Sequence, residues 1–333
     1  MPSQSVEILA PSLDSSAETA RRLRNRGLAN LLRMGHCAPS IMQAMLDVSE
    51  TDAQWLVKLT AGLPGGIGNT GGECGGVTAP LVLLGLRYSQ EKPVEGLPVV
   101  VYKGHDLLQR FEDSQGTTAC REILGHARVP VRCIGVVRQA PVLCAQSIGA
   151  DCTAAISTAQ QKAFGRLYEH WLEKKFHCAQ EVFSHLGDVL PVTQELLNAS
   201  SGFMGGMVFT GMTCSALTAG VMALGLMRGE IENSHLRVLR MIGTMAIGGD
   251  AFADDLNAFS KIMNLGNRLA QGFTVEFGST QCRAITQCDF CTSEGAERYV
   301  DNGGTARYSA MAQSVAQRVL SMIQSADVAA RSA

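Results

Sequence analysis

The stretch "GFMGGMVFTGMTCSALTAGVMALGLM", Gly202 to Met227, carries no charged side chain and a single cysteine, Cys214. It is long enough to cross a bilayer. Its first third, however, is glycine-rich and loop-like. A related stretch beginning at Gly65, "GGIGNTGGECGGVTAPLVLLGL", contains Glu73 and Pro80, which suit a span poorly. No aromatic belt or basic flank marks a membrane interface. The run therefore reads as a glycine loop that delivers Cys214 to the start of a buried helix, and no membrane span is expected.

Laid over each other without a gap, the two stretches match at Gly65/Gly205, Gly66/Gly206, Thr70/Thr210, Gly71/Gly211, Cys74/Cys214, Thr78/Thr218 and Ala79/Ala219. The match runs on to a closing Leu-Gly-Leu at Leu84 and Leu224. Upstream, His36-Cys37-Ala38 corresponds to His177-Cys178-Ala179. Downstream, "GTTACREI" from Gly116 corresponds to "GSTQCRAI" from Gly278, aligning Cys120 with Cys282. Three cysteines recurring in one order, each with local matches, point to a tandem duplication. The divide falls near residue 150. Residues 1–150 form a first, partly degenerate repeat, and 151–333 a second with the complete four-cysteine motif.

Ser15-x-x-Glu18 and Ser157-x-x-Gln160 read as capping boxes that open helices running toward Cys37 and Cys178. The β-rich runs are "LPVVVY" (Leu97–Tyr102) and "VPVRCIGVV" (Val129–Val137), read as short edge strands. The expected fold is mainly α: two tandem small helical bundles related by internal pseudo-symmetry, each of about four helices. An insertion in the second half, "GEIENSHLRVLRMIGTMAIGGDAF" (Gly229–Phe252), reads as an extra helix or a lengthened pair.

The chain has 333 residues and a formal charge of −2, which gives no electrostatic footprint for nucleic acid. Arg21, Arg22, Arg24 and Arg26 cluster without interleaved aromatics and read as a solvated helix face. The N-terminal segment lacks the basic region and apolar core of a secretory signal. A cytoplasmic location is expected, where structural disulfides are rare. The eleven cysteines then divide between small buried hydrophobes and a metal or redox cluster. There is no nucleophile–base set, Walker loop or dinucleotide fingerprint. An electron-transfer or redox-active protein is expected rather than a substrate-transforming enzyme.

In the second half the candidate ligands are Cys178, Cys214, Cys282 and Cys288. Four sulfurs from three segments suit an iron–sulfur cluster or a tetrahedral zinc. Cys291 forms Cys-x-x-Cys with Cys288 and is a spare or resolving thiol. In the first half the set is Cys37, Cys74 and Cys120, with His126 where the second copy has Cys288. Cys133 is an alternative fourth donor if the chain folds back. A thiolate at a helix N-terminus is favoured by the dipole and the free N–H groups, which can also donate to the sulfurs of a cluster. Gly71, Gly75, Gly211, Thr213 and Ser215 border Cys74 and Cys214 and are the candidate cofactor-contacting residues. Glycine there removes Cβ atoms that would block the approach. His36 and His177, placed on a helix, would point away from the neighbouring cysteine into a supporting or surface role. Cys144 and Cys152 have no partner in the repeat and are expected to be structural.

"HCAQEVF", "GMTCSALTAGVMALGL" and "FGSTQCRAITQCDF" resemble the C_GCAxxG_C_C family of redox-active proteins. The resemblance covers nearly all of residues 155–292 and extends more weakly over 15–126. It carries the four family cysteines onto Cys178, Cys214, Cys282 and Cys288. The chain departs from the pattern in reading Cys-Ser-Ala-Leu-Thr-Ala at Cys214 and Cys-Gly-Gly-Val-Thr-Ala at Cys74, and in lacking the last cysteine in the first copy. A similar domain in split-Soret cytochromes is associated with a [2Fe–2S]-type centre beside haems. No Cys-x-x-Cys-His haem attachment occurs here. The resemblance implies an iron–sulfur cluster, [2Fe-2S] or [4Fe-4S], a redox partner protein or small-molecule electron carrier, and two fused copies that mimic a dimer. A homo-oligomer remains open. The alternatives are a metal-free thiol–disulfide protein working through Cys282, Cys288 and Cys291, and a structural zinc or partner-binding module.

Overall fold

The computed structural model describes residues 13–94, 96–125, 131–151, 155–229, 260–302 and 304–331, with Leu239, Gly243 and Phe252. His126, Cys152 and most of the insertion after Gly229 lie outside the described residues.

The chain is helical. In the first half, α1 (Ala17–Met34), α2 (Cys37–Ser49), α3 (Gln54–Leu59), α4 (Gly75–Tyr88), α5 (Val99–Gln115), α6 (Cys120–Leu124) and α7 (Val131–Gly149) follow one another. The second half repeats the order as α8 (Thr158–Lys174), α9 (Cys178–His185), α10 (Gln194–Ser200), α11 (Ser215–Arg228), α12 (Lys261–Phe277) and α13 (Cys282–Thr286). It ends with α14 (Ser293–Asp301) and α15 (Gly304–Arg331). Each half is thus divided more finely than a simple four-helix bundle.

Local signals set these helices. The Ser157/Gln160 capping box forms as expected. At α1 the cap is one residue later than expected: Ser16 accepts from the Thr19 N–H. Neither helix runs on into its cysteine. Gly35 in the left-handed region ends α1, and Lys175 ends α8 in the same way. Cys37 and Cys178 then each open a new helix.

Of the two expected strands, Val99–Tyr102 and Val131–Val137 are helical, and residues 129–130 lie outside the described residues. Pro98 stands at the N-cap of α5, and Val100, Val101, Gly104, Leu107, Leu108 and Phe111 are buried at helical spacing. In α7 the buried set Val136, Val137, Ala140, Leu143, Cys144 and Ser147 follows the same period. Burial against neighbouring helices overrides the β-preference of the valines. Among the described residues the β-type pairing is two isolated antiparallel bridges, Glu73 with Ala119 and Thr213 with Gln281. They are equivalent positions in the two copies.

Helices α4 and α11 form the centre. Each is buried around nearly its whole circumference, as a central helix must be. Their small residues let chain segments of the other half approach. A Cβ on Gly62 would meet Val221 of α11 at 2.7 Å, and one on Gly202 would meet the Leu81 carbonyl of α4 at 2.6 Å. Gly225 packs against the Lys58 and Leu59 carbonyls of α3, and Gly85 against those of Asn198 and Ala199 on α10. Every contact has its reciprocal, so the halves are related by a pseudo-two-fold. Glu73 and its counterpart Thr213 meet there. The buried carboxylate accepts from the Thr213 N–H at 3.1 Å and from the Thr213 hydroxyl. Among the described residues no helix is long and apolar enough to cross a membrane. Within Gly202–Met227, α11 begins only at Ser215.

Candidate functional site

The glycine loops make an unusual turn. Gly65, Gly66, Ile67, Gly68 and Asn69 all have positive φ, and so do Gly205, Gly206, Met207, Val208 and Phe209. Each run is a single left-handed turn. It costs a non-glycine residue about 1–2 kcal/mol. Full burial of Ile67, Met207, Val208 and Phe209 offsets this, since each such side chain contributes about 1.5–3 kcal/mol. Phe209 stacks on Phe164 with centroids 5.2 Å apart and lies 5.0 Å from Trp171.

The turn reverses the chain so that the next residues pair with the segment before α6 or α13. Cys74 N–H donates to Thr118 O (2.8 Å) and Cys120 N–H to Gly72 O (2.6 Å). In the second copy Cys214 N–H donates to Thr280 O (2.8 Å) and Cys282 N–H to Met212 O (2.7 Å). Arg121 and Arg283 pack on Gly71 and Gly211, both at positive φ. A short two-stranded clamp thereby sets the second and third cysteines side by side in each copy.

All six repeated cysteines stand at helix starts. Cys74 and Cys214 are the N-caps of α4 and α11, and Cys37, Cys120, Cys178 and Cys282 are first residues. Cys74 Sγ accepts from the Gly76 N–H at 3.5 Å. The Ala216 and Leu217 N–H groups face the Cys214 sulfur, short of a full hydrogen bond. Gly75 leaves room for Cys37, whose Sγ would be 2.6 Å from a Cβ there, and the Gly65 N–H faces that sulfur. Ser215 Oγ donates to Phe203 O and accepts from the Gly206 N–H, bracing the turn rather than facing a cysteine. Thr213 is taken up by Glu73.

In the second copy, Cys282 lies within electrostatic reach of Cys214, Cys178 and Cys288, and Cys178 within reach of Cys214. Cys288 is 1 % exposed and its Sγ donates to Thr286 O at 3.3 Å. Tyr299 and Tyr308, stacked with centroids 5.4 Å apart, border the group, and Met311 Sδ is 3.8 Å from Cys214 Sγ. In the first copy, Cys74 is within electrostatic reach of both Cys37 and Cys120. Cys133 on α7 is within reach of Cys37 and Cys74.

Burial pushes the Cys37 thiol up to about 12 and raises Cys178, Cys214, Cys282 and Cys288 above the ordinary thiol range. For Cys74 the neighbouring Cys120 thiol is the larger cause of its raised pKa and burial the second. Metal-free, these thiols stay protonated and poorly nucleophilic. Among the described residues no three Cys, His, Asp or Glu side chains close round a single ion. A multi-iron cluster is held by thiolates standing farther apart than the ligands of one ion. Buried sulfurs with N–H donors beside them are a donor set that such a cluster could take.

His36 and His177 do not point away along a helix. Each occupies the N-cap just before its cysteine. His177 Nδ1 accepts from the Ala179 and Gln180 N–H groups at 3.2 and 3.4 Å, and burial holds its pKa down to about 4. The role is to start α9 and so aim Cys178. Cys144 is fully buried in the core, as expected of a structural residue.

Sequence reasoning missed an open cleft of about 890 Å³ beside the second group. It is lined by Gln281, Arg283, Gln287, Cys288, Cys291 and Arg298, among others. The Cys288–Cys291 pair was its one visible signal.

Fold and site together define a duplicated helical protein that buries paired sets of thiols at helix starts. The chain belongs to the C_GCAxxG_C_C family. The family model, described as "Putative redox-active protein (C_GCAxxG_C_C)", matches it twice, at residues 35–159 and 176–320. No curated protein and no solved structure matches the chain.

Proposed function

We propose that this is a redox or electron-transfer protein that binds an iron–sulfur cluster through Cys178, Cys214, Cys282 and Cys288, with the divide between its two copies near residue 150. One observation carries the reading: Cys282 stands within electrostatic reach of the other three thiols, although they come from distant segments. When bound, such a cluster supplies electron transfer at a potential tuned by hydrogen bonds and solvent exposure. The chain's own groups do the rest. The Ala216 and Leu217 N–H groups offer donors to the sulfur of Cys214. Tyr299, Tyr308 and Met311 keep water out. The four thiols give up protons on ligation, so loading strengthens as pH rises. The cleft at Cys288 is where a redox partner protein or small-molecule electron carrier would approach.

Purification without oxygen should give a coloured protein with an EPR signal in one redox state, and the signal distinguishes [2Fe-2S] from [4Fe-4S]. Cys214→Ser should bleach it. A colourless, iron-free protein from that preparation contradicts the reading. A metal-free thiol–disulfide function is the second reading, favoured by the backbone pairing that holds Cys74 and Cys120 side by side. Counting free thiols before and after mild reductant tests it, and an unchanged count removes it.

A further inference from the structure

We propose that the first copy holds a sulfur-ligated iron centre of its own, with Cys37, Cys74, Cys120 and Cys133 as ligands. The proposal rests on the cluster reading above and adds a second site to it. Cys133 is outside the repeated cysteine pattern, and the reason to include it is where α7 lies.

Helix α7 crosses the beginning of α4. Gly76, the second residue of α4, has no side chain because Val136 of α7 and Phe111 fill the space: a Cβ there would sit 2.5 Å from Val136 Cγ1 and 2.7 Å from Phe111. Cys133 is three residues before Val136, on the same face of α7 and one turn nearer its start. That turn overhangs Cys74, the N-cap of α4. Cys133 is accordingly within electrostatic reach of both Cys74 and Cys37.

The other three cysteines stand at the same helix starts as in the second copy, although Gly75 has Ser215 as its counterpart. Gly75 opens the space that the Cys37 sulfur enters. The Gly65 N–H faces Cys37, and the Gly76 N–H donates to Cys74 Sγ. The pairing of Cys74 N–H with Thr118 O and of Cys120 N–H with Gly72 O holds Cys120 beside Cys74. Cys74 is therefore the thiol that Cys37 of α2, Cys120 of α6 and Cys133 of α7 each approach. The chain order is also that of the second copy, with the fourth donor following the third. In the second copy that donor comes from the loop after α13, and in the first from the helix after α6. The first copy is thus a complete site with a displaced fourth ligand.

The full chain is reconstituted anaerobically with ferrous iron and sulfide, and iron is counted per chain. Wild type should carry two centres. Cys133→Ser should lose about half of the iron and Cys288→Ser the other half, while His126→Ala should lose none. Alkylation mass spectrometry on wild type, loaded against metal-free, provides a check that needs no variant: Cys133 should be protected only when loaded. Cys133→Ser retaining full iron, or Cys133 alkylated equally in both states, overturns this site. Loss of iron in His126→Ala overturns Cys133 as the fourth ligand. Iron confined to one centre that Cys288→Ser removes overturns the first-copy site and leaves the cluster reading standing. Iron-free wild type overturns both.

Discussion

Single residues fix where each sulfur sits. Gly75 is the sharpest case, because a methyl there would stand 2.6 Å from Cys37 Sγ and 3.0 Å from Ala38 Cβ. Gly75→Ala should destabilise the fold by about 1–3 kcal/mol through overpacking, read as a lower urea midpoint; an unchanged midpoint would mean the space is not reserved. His105 illustrates a second residue-level effect. Its Nε2 contacts Val208 O at 2.8 Å, its ring packs 5.1 Å from Phe164, and burial lowers its pKa, only partly opposed by the Val208 bond. The unfolded chain takes up a proton near pH 6.5, and the folded chain only at lower pH. The stability contributed by neutral His105 is therefore present above that value and lost as pH falls. Asn267, its counterpart, donates to Asn69 O at 3.1 Å. His105→Asn should keep a donor at the turn while making stability less sensitive to pH between about 7 and 5. A denaturation series at several pH values checks this, and an undiminished slope would refute it.

At the scale of the element, the left-handed turn makes the rest possible. Gly68 stands where the second copy has Val208, and α12 exploits its missing side chain: a Cβ on Gly68 would lie 2.7 Å from the Gly266 carbonyl. Gly68→Val combines a left-handed β-branched residue with that collision and should cost about 3 kcal/mol or more, seen as a drop in thermal midpoint. A neutral result would show that α12 can retreat. This scale also marks the limit of what the sequence revealed. The glycine loops, the helix start at Cys214 and the duplication were legible because identical residues recur in register, whereas the helix starts at Cys37, Cys120, Cys178 and Cys282 were not. Helices α5 and α7 were misread, since consecutive valines look like strands until their neighbours are known. The turn was hidden because Ile67, Met207, Val208 and Phe209 give no local sign of positive φ. Cys133 could be named only conditionally for a related reason: its place depends on α7 crossing α4, which no local pattern states.

For the whole molecule, the two copies interlock rather than sit side by side. Reciprocal glycine contacts join α3 to α11 and α10 to α4, and where the copies meet the unlike counterparts Glu73 and Thr213 are hydrogen-bonded to each other. Removing the carboxylate strands a buried N–H and hydroxyl. Glu73→Ala should therefore cost about 1–3 kcal/mol, with both halves still melting in one transition; two separate transitions would show that the halves are independent. The account as a whole depends on iron lying among the thiols of the second copy. The most direct measurement is an anomalous difference map at the iron edge from anaerobically grown crystals. It should show a strong peak bounded by Cys178, Cys214, Cys282 and Cys288. A map with no iron peak there, in protein whose thiols are reduced and intact, would contradict it.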